Sequence, residues 1–217
     1  MARTRSPDYD SIQELILEKT AELFASRGYV ASSIGDIAEA CECSKSRLYH
    51  YFESKEAILI AMLSAHVDKL LHGAREIVAQ QSDPMERFTQ ITRYFMEIYA
   101  VSRAQHVVLL TCMEFLPDTN RLEIVDKQRE LVSYVRNILK SIQAEAGGIG
   151  GTTDVDTMLF FGMINWTYTW YRAEGAVQPH DLADRCVRLF LEGYRTVSAV
   201  PARESKAAPG VKALVSH

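Results

Sequence analysis

No run of eighteen consecutive apolar residues occurs in the 217-residue sequence, so no membrane-spanning helix and no membrane partner are expected. Met1–Asp10 is polar and lacks the apolar stretch of an export signal, and the expected location is the cytoplasm. Cysteine is scarce, with four at positions 41, 43, 112 and 186. Cys41 and Cys43 are spaced C-x-C, which is neither a redox C-x-x-C nor a zinc pair with partners nearby, and all four read as reduced thiols packed as small apolar groups. Strand-like alternation and internal repeats are missing. No H-E-x-x-H, G-x-S-x-G, paired Glu-x-x-His or G-x-G-x-x-G occurs, and the six histidines are scattered. His50 and Glu53 could form a metal pair only with a third ligand that their helix end does not supply. An enzyme, a bound metal and a resident cofactor are therefore not expected.

Excess positive charge is also lacking. The formal net charge is -4, which argues against a protein that coats nucleic acid without selection. Residues 1–60 carry seven cations against ten anions. The distribution matters more than the sum. From Ser44 to Lys55 there are three cations and one anion, and Arg3 and Arg5 add two near the start.

What is present is helical periodicity. Between Pro7 and Arg27, apolar residues recur at helical spacing as Ile12, Leu15, Ile16, Leu23 and Phe24. Ser6-Pro7 reads as a cap followed by proline at the first helical position, and Gly28 as a stop. Ser33-Ile34-Gly35-Asp36 has the form of a capping box opening a short helix to about Cys41. Ser44 caps a second short helix to about Phe52, and Ser54 a longer one from about Lys55. Further helices are expected at 84–101, 103–116, 119–146, 153–174 and 180–199. Asp83-Pro84 marks a start and Leu116-Pro117-Asp118 a break. Gly147–Gly151 reads as a linker, because it lacks the Lys and Ser/Thr of a phosphate-binding loop. The polar, Ala/Pro-rich tail Pro201–His217 is expected to be disordered.

The helix after Ser44 is two-faced. At about 100° per residue, with Lys45 at zero, Tyr49 falls near 40°, Ser46 near 100° and His50 near 140°. Phe52, Leu48 and Tyr51 fall near 340°, 300° and 240°, with Arg47 at the border. One side can dock on preceding helices while the other enters a DNA major groove. Lys45 and Arg47 can neutralise phosphate, Tyr49 and Ser46 can donate hydrogen bonds to it, and Lys55 can add a third charge.

The run Ile37-Ala38-Glu39-Ala40, followed by Ser44-Lys45-Ser46-Arg47-Leu48-Tyr49-His50-Tyr51-Phe52-Glu53-Ser54-Lys55-Glu56, resembles the signature of the TetR/AcrR repressors, densely over residues 12–63. The resemblance implies an all-α, nine-helix homodimer that reads a palindromic operator. It implies an N-terminal three-helix helix-turn-helix head at 9–54 behind a flexible arm at 1–8, and a ligand-binding and dimerisation domain at 55–200 before a tail at 201–217. Ser33, Ser44, Lys45, Ser46, Tyr49, His50 and Lys55 then occupy DNA-contacting places. Arg47 stands where a small threonine is common and adds a base or phosphate contact. Glu42 stands where glycine is usual in the turn, at a cost of about 1 kcal/mol. Arg3 and Arg5 either enter a minor groove or stay solvated.

Residues 84–174 are rich in aromatic side chains and methionine. Stripes such as Phe88, Ile91, Phe95, Met96 and Tyr99 read as core or as the wall of an adaptable apolar pocket. Candidate effector contacts are Phe95, Tyr99, Arg103, His106, Met113, Asn165, Trp166, Tyr168 and Arg172, with Arg136 as a further cation. Phe160, Phe161 and Trp166, with Val187, Phe190, Leu191 and Tyr194, call for cover from a second copy. The run Asn165-Trp166-Thr167-Tyr168-Thr169-Trp170-Tyr171-Arg172, then Glu174-Gly175, resembles one in TetR-type regulators of acyl-CoA catabolism. That resemblance implies a CoA thioester as effector, its phosphates held by arginine. The alternatives are a multidrug-efflux regulator sensing hydrophobic compounds and a structural DNA-binding protein without an effector. The expected function is a repressor of transcription, bound to double-stranded operator DNA and released by a small molecule.

Overall fold

The computed structural model of the chain describes residues 7–80, 83–145 and 153–198. Among them every regular element is helical: α1 (Pro7–Arg27), α2 (Ile34–Ala40), α3 (Lys45–Tyr51), α4 (Lys55–Ala79), α5 (Pro84–Val101), α6 (Arg103–Thr111), α7 (Asp118–Glu145), α8 (Thr153–Asn165) and α9 (Pro179–Ser198), with 3-10 turns at Met113–Phe115 and Trp166–Thr169. The arm with Arg3 and Arg5, the Ser6 cap, the Gly147–Gly151 linker and the tail lie outside the described residues.

Two expected helices are shorter than their patterns. The expected 103–116 helix ends at Thr111. Leu116 is extended at φ -82 and ψ 144, as the residue before a proline prefers, and a 3-10 turn fills the gap. The expected 153–174 helix ends at Asn165. There the Thr167 hydroxyl donates to the Ile164 carbonyl at 2.6 Å and the Thr169 hydroxyl to the Trp166 carbonyl at 2.8 Å. Short-range hydroxyl bonds of this kind compete with the α ladder, and here the backbone tightens to 3-10.

The chain forms two compact units that do not follow chain order. The first contains α1 to α3, α4 as far as Asp68, and the segment Ser102–Val125. α1 packs on α2 and on α6. Its core includes Phe24, Ile37, Leu48, Ile58 and Leu59, each 2% exposed or less, and burying a side chain of this size contributes about 1.5–3 kcal/mol.

The second unit contains the rest of α4 and α7 with α5, α8 and α9. α5 and α9 pack together, with Phe88, Phe160 and Phe190 in mutual ring contact at 4.8 to 5.7 Å. The Arg93 fork pairs with Asp184 at 2.6 and 2.7 Å, which fixes the register of α5 on α9. Arg75 of α4 likewise donates twice to Glu130 of α7, at 2.9 and 2.8 Å, and the Tyr134 hydroxyl donates to the same carboxylate. α4 is the one helix among the described residues long and apolar enough to cross a bilayer, and more than half of its apolar window is buried within the chain.

α8 is apolar on opposite sides. Thr157, Phe160, Phe161 and Ile164 are buried. Val155, Met158 and Leu159, with Trp166 at the start of the 3-10 turn that follows, are 54 to 63% exposed. At about 100° per residue the two sets fall on opposing arcs. Gly162 lies within the exposed arc and a Cβ there would meet nothing. The sequence argument for cover by a second copy therefore named the wrong residues in part. Phe160, Phe161, Val187 and Leu191 are already covered within one chain, at 0, 9, 7 and 4% exposure, and Phe190 is half-buried. Trp166 is 63% exposed within one chain, and the Tyr194 side chain lies outside the described residues.

Candidate nucleic-acid interface

The interface is built from two short helices whose ends are set by local hydrogen bonds. Ser33 caps α2 reciprocally: its hydroxyl accepts from the Asp36 backbone N–H at 3.2 Å, and its own N–H donates to the Asp36 carboxylate at 2.7 Å. The Ser33 hydroxyl also donates to that carboxylate at 2.6 Å. The Ser33 hydroxyl, then its backbone N–H, then Arg27, hold the Asp36 carboxyl below the usual carboxylate range. Ser44 caps α3 by accepting from the Arg47 N–H at 3.1 Å. Ser54 caps α4 by accepting from the Ala57 N–H at 3.0 Å.

The turn between α2 and α3 is closed by the Cys43 N–H donating to the Ala38 carbonyl at 2.9 Å. Closing it puts Glu42 in the left-handed region, at φ 51, the one non-glycine residue found there among the described residues. The Cβ of an L residue crowds the backbone in this region, at about 1–2 kcal/mol. Cys41 and Cys43 flank it as half-buried free thiols, and burial pushes the Cys41 thiol up to about 11.

α3 presents the expected two faces. Leu48 is fully buried and Phe52 is 5% exposed, whereas Lys45, Ser46, Arg47, Tyr49 and His50 are exposed. Tyr51 is half-buried because its ring lies on Tyr9 of α1, with centroids 4.6 Å apart. His50 meets the same Tyr9 ring edge-on at 5.9 Å. Tyr9 thus steadies α3 from outside it, a role that nothing in the local motif signals.

The cations of this segment divide sharply. Lys19 pairs with Glu22 at 3.0 Å and Arg27 with Asp36 at 3.1 Å. Lys55 turns inward: its ammonium donates to the Tyr29 and Ser32 carbonyls, each at 2.9 Å, and lies 4.1 Å from the Tyr29 ring centroid. Those carbonyls end the loop after α1, and Lys55 clamps that loop, with little of its charge free for a phosphate. Tyr29 in turn stacks on Phe115 at 5.0 Å. Among the described residues Lys45 and Arg47 have no ion pair. Lys45 stretches along α2, so that a Cβ on Gly35 would sit 3.2 Å from its Cε.

The candidate effector contacts fall into two groups. In the second unit, Phe95 and Tyr99 stack on α5 at 6.3 Å, and the Tyr99 hydroxyl donates to Asn165 Oδ1 at 3.0 Å. Burial pushes the Tyr99 phenol well above its usual range. Trp166 and Trp170 are 63 and 56% exposed, Tyr168 is half-buried against Trp166 at 6.2 Å, and Arg172 donates to the Tyr171 carbonyl. Arg136 pairs with Asp154 at 3.3 Å. Arg103, His106 and Met113 belong to the first unit. His106 is buried in its core, 3% exposed and 3.3 Å from His66, a neighbour the sequence does not reveal. Arg103 and Met113 are half-buried there.

Comparison with known proteins agrees with this geometry. Residues 16–62 match the bacterial regulatory proteins of the tetR family, and residues 81–194 match the tetracyclin repressor-like C-terminal domain. A TetR-family transcriptional regulator from Bordetella parapertussis 12822 is 53% identical, covers 86% of this chain and 97% of its own, and superposes with a TM-score of 0.80. The transcriptional repressor KstR2 of Rhodococcus jostii is 28% identical over 82% of this chain and 88% of that protein. AibR, solved with isovaleryl coenzyme A and operator DNA, is 26% identical over 82% of this chain and 97% of its own, with a TM-score of 0.71. The chain belongs to the tetR family of bacterial regulatory proteins.

Proposed function

We propose that this regulator binds a palindromic operator as a homodimer, represses transcription, and is released by an acyl-CoA or a related hydrophobic acid, acting in the cytoplasm. The observation that carries the DNA reading is the division of cations. Lys19, Arg27 and Lys55 are engaged within the protein, whereas Lys45 and Arg47 stand exposed on the outer side of a capped helix. Phosphate neutralisation needs mobile, unpaired charge at the surface. Ser44, Ser46, Tyr49 and His50 flank them with hydrogen-bonding groups. Ser33 acts mainly by holding the first turn of α2, and Lys55 by holding the loop before it.

The effector reading rests on the apolar second unit and on relatives. The Tyr99 hydroxyl donates to Asn165 beside the stacked Phe95 and Tyr99 rings, which suits a ligand whose carbonyl lies beside an apolar chain. KstR2 is named a repressor, and AibR was solved with isovaleryl coenzyme A and operator DNA. In linkage terms the effector must favour the form that binds operator less well.

Fluorescence anisotropy on a duplex selected by the protein tests both parts. Lys45→Ala and Tyr49→Ala are expected to weaken binding while the dimer persists in sedimentation. Isovaleryl-CoA and longer acyl-CoAs are expected to raise the melting temperature and lower operator affinity, with free CoA inactive. Unchanged affinity in both variants refutes the docking. A thermal shift only with free hydrophobic drugs transfers the effector reading to a multidrug-type regulator.

A further inference from the structure

We infer that Arg47 reads a guanine in each operator half-site, while Lys45 and Tyr49 hold the flanking phosphates. The inference rests on the DNA-binding reading above and assigns base readout within it.

The direction of each side chain around α3 carries the argument. Leu48 and Phe52 are buried, so the inward direction lies between them. At about 100° per residue, Lys45 and Tyr49 stand within about 80° of inward, on the flank beside α2. The Lys45 stem lies against Gly35 of that helix. Side chains on a flank meet the walls of a groove, which are phosphates. Ser46, Arg47 and His50 stand about 120° or more from inward, on the side that meets the groove floor.

Of these three, one has the chemistry to select a base. Ser46 has a single short hydroxyl that donates and accepts, and it pairs with any base edge. The His50 ring is held edge-on between Tyr9 and Tyr51, at 5.9 and 5.3 Å. Arg47 is exposed, and its guanidinium has no ion pair or hydrogen bond among the described residues, while its backbone N–H is fixed by the Ser44 cap. A planar fork of donors matches the N7 and O6 acceptors that guanine alone presents side by side in the major groove.

The test uses the full chain and a pool of random duplex DNA, with the selected duplex then varied one base pair at a time. Wild type is expected to lose about 5- to 150-fold in affinity when that dG is replaced by dA in one half-site. It is expected to lose affinity at that same position when 7-deaza-dG removes the N7 acceptor. Arg47→Lys keeps the charge and a donor but not the planar fork, so it is expected to reduce this discrimination severalfold and keep its salt dependence. Lys45→Ala is expected to weaken all sequences alike and to lower the salt slope of the dimer by about 2, one phosphate contact in each half-site. Unaltered base preference in Arg47→Lys, or indifference of wild type to 7-deaza-dG at every position, overturns the assignment to Arg47. A wild type that selects no sequence overturns the DNA reading itself. Circular dichroism of Arg47→Lys separates loss of readout from loss of fold.

Discussion

His66 of α4 and His106 of α6 meet inside the first unit, with His66 Nε2 and His106 Nδ1 3.3 Å apart and the two residues 4 and 3% exposed. Burial, then the field of His66, pushes the His106 imidazole down to about 3. The fold therefore holds His106 neutral at the joint between two helices.

That arrangement predicts acid sensitivity with a definite sign. The unfolded chain takes up the His106 proton near the ordinary value of 6.5, and the folded chain only near 3. The folded value is depressed, so this contribution is complete above 6.5 and is lost as pH falls below it toward 3. Between about pH 7.5 and about pH 5 the loss is about 2 kcal/mol. Urea denaturation across this window is expected to show it in wild type and to show that much less in His106→Gln. Equal losses in the two proteins would refute the linkage, and His106→Leu serves if the amide is not accommodated.

The same pair shows what the sequence could and could not carry. Caps are local, so the starts of α2, α3 and α4 at Ser33, Ser44 and Ser54 were legible as short patterns. So was the special demand on Glu42, because the family resemblance places a glycine at that position of the turn. Partnerships across the fold were not legible. His66 and His106 are 40 residues apart, and the inward turn of Lys55 depends on carbonyls 23 and 26 residues earlier. The sides of α8 were illegible for another reason. A helix apolar all round has no periodicity to distinguish the side its own chain covers, and the buried Phe160 and Phe161 were read as needing a second copy.

Glu42 gives a prediction about the turn. Glutamate at φ 51 carries left-handed strain of about 1–2 kcal/mol. Glycine removes the strain but adds about 0.5–1 kcal/mol of unfolded-state entropy. Glu42→Gly is expected to leave the melting temperature equal or slightly raised. Glu42→Val places a branched Cβ in the same region and is expected to lower it. A clear fall in Glu42→Gly would mean that the glutamate side chain contributes more than its backbone costs.

Gly73 of α4 gives a prediction about the second unit. The Tyr94 ring lies directly on it, and the Tyr94 hydroxyl donates to the Lys69 carbonyl at 2.6 Å. A Cβ on Gly73 would fall 2.2 Å from Tyr94 Cζ. Alanine favours a helix over glycine by about 1 kcal/mol, but crowding of this kind costs about 1–3 kcal/mol. Gly73→Ala is expected to be destabilising on balance. In a Tyr94→Ala background the same change is expected to be stabilising, since only the propensity remains. Additive effects in the double variant would remove the ring contact as the cause.

The exposed arc of α8 predicts the oligomer and where it forms. Val155, Met158, Leu159 and Trp166 are 61, 54, 62 and 63% exposed, and Leu189 of α9 is 62% exposed. Gly162 and Gly193 carry no Cβ and have open space in front of them, which permits close approach of a second backbone. Each large apolar side chain removed from water contributes about 1.5–3 kcal/mol, so a few pairs suffice for a lasting contact. Sedimentation is expected to show wild type as a dimer and Leu159→Glu as a monomer with an unchanged melting profile at low protein concentration, because Leu159 has little to lose within its own chain. Phe160→Glu, one residue along the helix and fully buried, is expected instead to unfold the unit. A monomeric wild type, or a Leu159→Glu that still dimerises, would take the interface away from this face.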